Sequence, residues 1–235
     1  MRKSSPNPAL PVGVLLFASA GSRIVGDPGM PGTFDFPVEY GVVPGSYRDL
    51  LQGSDRARDQ LCQAAQALEQ RGVCAIAGDC GLMALYQREL ARSVRVPVVS
   101  SSLVLLPLLR TMLGGERKIG LLTGHSQLLT SRHLEAAGIG GDANLMIQGM
   151  EEEPHFRDVV LEGRRPQDYA LMAQDVLHAV GRMVAREPGL GALVLECSNL
   201  TTFAWEVEEH YHIPVFDINL AIRVLRLGRD HICYG

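Results

Sequence analysis

The chain has 235 residues and a mass of 25.5 kDa, enough to bury a sizeable core, and its 46% apolar and 20% charged content is that of a globular protein rather than a disordered or fibrous one. With 26 acidic against 22 basic residues the net charge is -4, so nothing electrostatic points to nucleic acid or an anionic membrane as partner, and small molecules become the default. No apolar run approaches the roughly 20 residues of a membrane-spanning helix, since Pro107 interrupts the richest stretch, Leu103 to Leu109.

Short apolar runs rich in β-branched residues alternate with segments of helical periodicity, the pattern of βα units around a mostly parallel sheet. Strands are predicted at Val12–Phe17, Val73–Ala77, Val96–Val99, Lys118–Leu122, Ala143–Ile147, Ala192–Leu195 and Ile213–Phe216. Helices are predicted at Asp55–Gln70, Leu82–Ala91, Gln127–Ala137, Asp168–Arg186, Phe203–His210 and Leu220–Leu227. Arg2, Lys3, the apolar run Val12–Phe17 and Ala18-Ser19-Ala20 imitate a signal peptide, but Pro8 and Pro11 break the apolar helix such a signal needs. Residues 20–46 are rich in glycine and proline and are expected to form an ordered flap, packed down by Phe34, Phe36 and Tyr40, with a short strand near Val38–Val42.

An internal repeat carries the most information. At a shift of 117 residues, Val73 to Cys80 falls on Leu190 to Cys197 and Val96 to Val99 falls on Ile213 to Phe216. Two strands therefore end in an acid and a cysteine, and each cysteine precedes a proline-marked strand by 17 positions. The opening strand Val12–Leu16 matches Ile119–Thr123 at a shift of 107, so an insertion or deletion of ten residues lies between the matches. The expected fold is α/β, with two pseudo-symmetric lobes near residues 10–110 and 117–225, each a mostly parallel sheet flanked by helices, and an active site in the cleft between them. Whether terminal segments cross between lobes is left open.

In open α/β sheets ligands bind beyond the carboxyl ends of the strands, where Cys80 and Cys197 both fall. Across a cleft, one thiolate removes a proton from a carbon next to a carboxylate while the opposing thiol returns one to the other face. A following helix amino terminus is expected to favour thiolate, against the adjoining Asp79 and Glu196, which raise a thiol pKa unless they point away. Gly81 permits close backbone approach, and Ser198 and Asn199 supply polar groups for a carboxylate or an enolate-like intermediate.

These residues resemble the aspartate/glutamate racemase superfamily, which includes hydantoin racemases, maleate isomerases and arylmalonate decarboxylases. The carriers are the half-chain repeat, the junctions GDCGLM and LECSNL, and the opening strands VGVLLFAS and IGLLTGHS. The resemblance implies a cofactor-independent enzyme in which Cys80 and Cys197 act as acid and base, and in which Ser19, Gly81, Thr123, Ser198 and Asn199 bind a small carboxylate. By analogy it also implies a homodimer. Amino acid racemases of the family carry Asn-Thr after the first cysteine and Thr after the second, whereas this chain has Gly81-Leu82 and Ser198; the glycine is more like hydantoin racemases.

The leading expectation is a racemase or epimerase. The alternatives are a cysteine-dependent decarboxylase or cis–trans isomerase, and a non-catalytic bilobal carboxylate binder. Five cysteines without CxxC spacing point away from disulfides or zinc and toward a reducing cytoplasm, with Cys62, Cys74 and Cys233 read as simple packing residues. His210 and His212 lack a third ligand, so no metal is expected. His125 either reaches the pocket or lies in a loop with Ser126 as helix cap, the run Glu151–Glu153 is read as a solvated loop, and Trp205 as packed in the core or a lobe interface.

Overall fold

A computed structural model describes residues 10–17, 23–45, 47–140 and 144–228. The strands are β1 (Val12–Phe17), β2 (Val38–Val43), β3 (Ala75–Gly78), β4 (Val98–Val99), β5 (Ile119–Thr123), β6 (Leu145–Gly149), β7 (Ala192–Leu195) and β8 (Val215–Phe216). They form two four-stranded, wholly parallel sheets of identical order, β2-β1-β3-β4 and β6-β5-β7-β8. Between them run α1 (Tyr47–Gln52), α2 (Asp55–Gln70), α3 (Gln87–Ser93), α4 (Leu106–Met112), α5 (Ser131–Ala136), α6 (Pro154–Phe156), α7 (Tyr169–Arg186), α8 (Ala204–Tyr211) and α9 (Ile218–Leu227).

The strand registers reproduce both repeat offsets. Val12 pairs with Val38 and Ala75 in the first sheet, and Ile119 pairs with Leu145 and Ala192 in the second. The offset is thus 107 for the first two strands of each sheet and 117 for the last two. The extra ten residues lie between β6 and β7, where residues 150–168 contain α6 and a π-helical turn, Arg157–Leu161. The repeated glycine of the opening strands has a packing reason: a Cβ on Gly13 would lie 3.0 Å from Leu68 of α2, and one on Gly120 would lie 2.9 Å from Met183 of α7. Each sheet receives its long helix at the same close point.

Those long helices begin at side-chain caps, Ser54 accepting from the Ala57 N–H and Asp168 from the Leu171 N–H. Each buries one stripe, Leu61, Ala65 and Leu68 on α2 and Met172, Val176, Val180 and Met183 on α7. Pro107 lies in the first turn of α4, where its missing N–H breaks no helical bond, and this short helix buries Leu106 and Leu109 while leaving Leu108 and Met112 exposed. Trp205 is 66% exposed on the outer face of α8, whose inward residue is Val207; it belongs to no core.

Terminal helices cross between the lobes. Leu103, Leu106 and Leu109 share a buried cluster with Ile119, Leu121 and Val194 of the second sheet. Ile218, Ala221 and Ile222 of α9 pack with Val12, Val14, Ala75 and Ala77 of the first. The Ser102 hydroxyl also donates to the Leu195 carbonyl at 2.9 Å. No helix among the described residues is long and apolar enough to cross a membrane.

The crossing into α9 is capped by Asp217, which is 7% exposed and accepts from the Leu220 N–H at 2.8 Å. Desolvation pushes its carboxyl up to about 6, against the Leu220 and Asn219 N–H groups that hold it down. A carboxyl raised on folding contributes stability below its unfolded pKa and loses it as pH rises through the folded value. Asp217→Asn keeps a capping oxygen without the charge, so its stability relative to the native chain should improve by about 1–3 kcal/mol between about pH 4 and pH 7. Denaturant unfolding across that range measures this.

Candidate active site

The carboxyl ends of β1, β3, β5 and β7 converge on a cavity of about 410 Å³, the size of a small-molecule site. Its walls include Phe17 after β1, Asp79 to Leu82 after β3, Thr123 to His125 after β5 and Glu196 to Asn199 after β7. Val159 to Gly163, in the segment inserted in the second lobe, close a further side. Cys80 and Cys197 line this one cavity and retain part of their exposure.

The two cysteines occupy equivalent local structures. Each precedes a 3-10 turn, Gly81–Tyr86 or Ser198–Phe203, rather than entering an α-helix directly. The Cys80 carbonyl accepts from the Met83 N–H at 2.9 Å and the Cys197 carbonyl from the Leu200 N–H at 3.0 Å. The N–H two residues on, Leu82 or Asn199, faces the sulfur in each case, and the Cys197 thiol donates to Asn199 Oδ1 at 3.6 Å.

The electrostatics differ from the sequence expectation of a thiolate-favouring site. Desolvation pushes both thiols upward, and Glu196, then Asp79 for Cys80, adds to the rise; the single facing N–H does not offset them. The two carboxylates do not point away. Both line the cavity while remaining almost fully buried.

Each carboxylate has a defined set of partners. Asp79 accepts from the Phe17 N–H at 3.0 Å and from Arg23 at 2.6 Å, and desolvation raises its carboxyl to about 6. Arg23 also donates to Asp27 at 2.7 Å, and Asp27 in turn accepts from Asn199 Nδ2 at 3.4 Å. A polar chain thus runs from the neighbour of Cys80, through the flap, to the second lobe. Asn219 and Thr201 fasten the flap as well, each donating to the Gly26 carbonyl at 2.6 Å. Glu196 accepts from the Thr123 hydroxyl at 2.7 Å and from the Gly124 N–H, and desolvation raises its carboxyl too.

Of the residues singled out from sequence, Cys80, Gly81, Thr123, Ser198 and Asn199 meet at this cavity, and Ser19 lies outside the described residues, as does Cys233. Thr123 is 1% exposed, with its hydroxyl directed at Glu196. His125 lines the cavity, whereas the cap of α5 is Thr130 in a capping box with His133, and Ser126 instead hydrogen-bonds Glu151. Glu153 of the acidic run is buried against Arg182 and His178 rather than solvated. Sequence reasoning missed Arg23, Asp27 and the inserted wall Val159–Gly163. An aspartate inside GDPG, where a glycine follows two residues on to accept a tight turn, was the one available signal for the flap contact. Among the described residues no group of His, Cys, Asp and Glu is arranged to hold a metal ion.

Paired thiols facing one cleft between two parallel α/β lobes define a class of bilobal protein with duplicated halves. Residues 44–223 match the Asp/Glu/hydantoin racemase family, and the chain belongs to it. It is 30% identical over 200 residues to a dimethylsulfoniopropionate lyase of Durusdinium sp. clade D, covering 82% of this chain and 66% of that one. It is 32% identical over 206 residues to dimethylsulfoniopropionate lyase 6 of Emiliania huxleyi strain CCMP1516, covering 82% of this chain and 53% of that one. The chain therefore spans between about half and two thirds of the length of these relatives. Unliganded arylmalonate decarboxylase has a similar fold, with a TM-score of 0.57, 17% identity and 96% of both chains covered. The allantoin racemase of Klebsiella pneumoniae gives 0.58, with 17% identity over 93% of this chain and 86% of that one.

Gly81 fits this site for a steric reason. A Cβ there would lie 2.0 Å from Glu196 Oε1 and 2.5 Å from the Glu196 carbonyl oxygen, so the two lobes touch at a position with no room for a side chain. The Asn of the amino acid racemases has no space here while Glu196 keeps this position. Gly81→Ala should destabilise the chain by about 1–3 kcal/mol through overpacking, read as a lower urea midpoint at unchanged slope.

Proposed function

We propose that the chain is a cofactor-independent enzyme that removes a proton from the carbon next to a substrate carboxylate through a cysteine thiolate, and that it acts as a lyase on a β-sulfonio carboxylate such as dimethylsulfoniopropionate. The observation that carries the proton-abstraction step is the placement of Cys80 and Cys197, at matched positions, in the wall of one cavity. The likeness to two dimethylsulfoniopropionate lyases across 82% of the chain supports elimination as its outcome.

The chemistry needs few parts. One thiolate takes a proton from C2, the released electron pair forms the C2–C3 double bond, and the C3–S bond breaks with its pair leaving on sulfur. Acrylate and dimethyl sulfide result, and the thiol returns the proton to solvent. Ser198 and Asn199 stand beside Cys197 to hold the carboxylate, and Gly81 lines the cavity beside Cys80. In this reading Thr123 acts through Glu196, whose carboxylate its hydroxyl holds in place.

Racemisation or epimerisation of a small carboxylate is the second reading, favoured by the matched thiols, because inversion needs a proton donor on each face and elimination needs a base on one. The two differ in what each cysteine costs. Acrylate and dimethyl sulfide are measured with dimethylsulfoniopropionate, and inversion is followed as solvent deuterium entering amino acids and hydantoins at the α carbon. For a lyase, Cys80→Ser and Cys197→Ser should lower acrylate formation unequally, the larger loss reaching about 10²–10⁴-fold. For a racemase both should abolish inversion. Full activity in both single variants would overturn thiolate chemistry altogether.

A further inference from the structure

The charges around the two thiols do not balance. From the loop after β1 come Arg23 and Asp27; from the end of β3, Asp79; from the end of β7, Glu196; from the end of β5, His125; and from the inserted wall, Glu162. Arg23 is divided between two aspartates that are each 2% exposed at the side chain. Glu196, 4% exposed, has only a hydroxyl and a backbone N–H, and among the described residues no cation pairs with it. A buried carboxylate without a counter-charge is costly and marks a place where a ligand completes the electrostatics.

We propose that Glu196 is a specificity-determining residue that selects carboxylates bearing a positive charge, the substrate supplying the cation that the chain withholds. The inference rests on the proton-abstraction reading above and narrows its substrate class to zwitterions, sulfonium or ammonium carboxylates, over neutral-tailed acids of the same shape. Geometry places this selector well. Glu196 adjoins Cys197 in the chain, touches Gly81 beside Cys80 across the lobe boundary, and is fixed from behind by Thr123. A cation seated against it relieves the same negative field that opposes ionisation of both thiols, so the correct substrate promotes the base that attacks it. A neutral-tailed acid leaves that field intact.

The test uses two probes that do not eliminate. Dimethylsulfonioacetate carries the sulfonium but has no β carbon, and 3-methylbutanoate copies its shape with carbon in place of sulfur. Calorimetric binding to the intact chain should favour dimethylsulfonioacetate by at least about tenfold, equal to about 1.4 kcal/mol, and thiolate absorbance should rise with that probe only. In Glu196→Gln the preference should shrink toward unity, and the ligand-free thiols should ionise at lower pH than in the native chain. Equal binding of the two probes to the native chain, binding of neither, or an undiminished preference in a Glu196→Gln protein that melts as a folded chain would overturn the inference. Turnover is scored separately. Acrylate formation with no probe preference keeps the lyase reading and removes this one, whereas a sulfonium preference without acrylate does the reverse.

Discussion

Two parallel sheets must present their carboxyl ends to each other, and the exchange of terminal helices is what imposes this. α4 packs in one buried cluster with residues of both lobes, and α9 leaves the second sheet to pack on the first, so the apolar cores of the two lobes are shared. The cavity is a consequence. Strand ends carry unpaired backbone groups and loops that resist burial, and facing two such ends leaves a polar-rimmed space that the helices cannot fill. Cys80 and Cys197 stand there because each ends a fully buried strand at the one point where the chain must turn.

Duplication makes the halves alike, and the site depends on where they differ. Asp79 and Glu196 occupy equivalent positions, yet Asp79 is met by Arg23 of the flap while Glu196 is met by Thr123 of its own lobe. The flap follows β1; its counterpart in the second lobe carries no equivalent arginine at this cavity among the described residues. The second lobe instead has a longer connection at residues 150–168, whose π-helical turn supplies Val159 to Leu161 as an apolar wall. One side of the cavity is thus polar and acidic and another is apolar. That asymmetry suits a reaction with distinct donor and acceptor faces better than one that treats both alike.

Much of this was legible in the sequence because the signals were periodic or repeated. The strands Val12–Phe17 and Ala192–Leu195 and the helix Asp55–Gln70 fall where pattern puts them, and the two offsets of 107 and 117 survive as strand registers. The cysteine pair follows from that repeat. Arg23 and Asp27 were not legible, since a flap contact across some fifty residues of chain has no period and no motif. Nor was the ionisation of the thiols. A helix start one residue away argues for thiolate from sequence alone, but desolvation depends on what the opposite lobe brings, and that lobe brings Glu196. Trp205 fails for a similar reason: composition places a tryptophan inside, whereas the facing of α8 leaves it outside.

The raised thiols fit a site that works only when occupied. A free thiolate in an open cleft is exposed to oxidation and to any electrophile that enters, and its reactivity follows its ionised fraction. Burial, with Glu196 and Asp79 adding to it, holds that fraction down. On the proposed reading the cost is that the ligand supplies part of the activation through its own charge. In the proposed elimination a sulfonium would do two things at once: it departs as neutral dimethyl sulfide, and until then its charge is the counter-ion for the acid beside the base. On the proposed reading Glu196 then serves recognition and activation together, because a substrate that lacks the charge also lacks the means to ease ionisation of the cysteine.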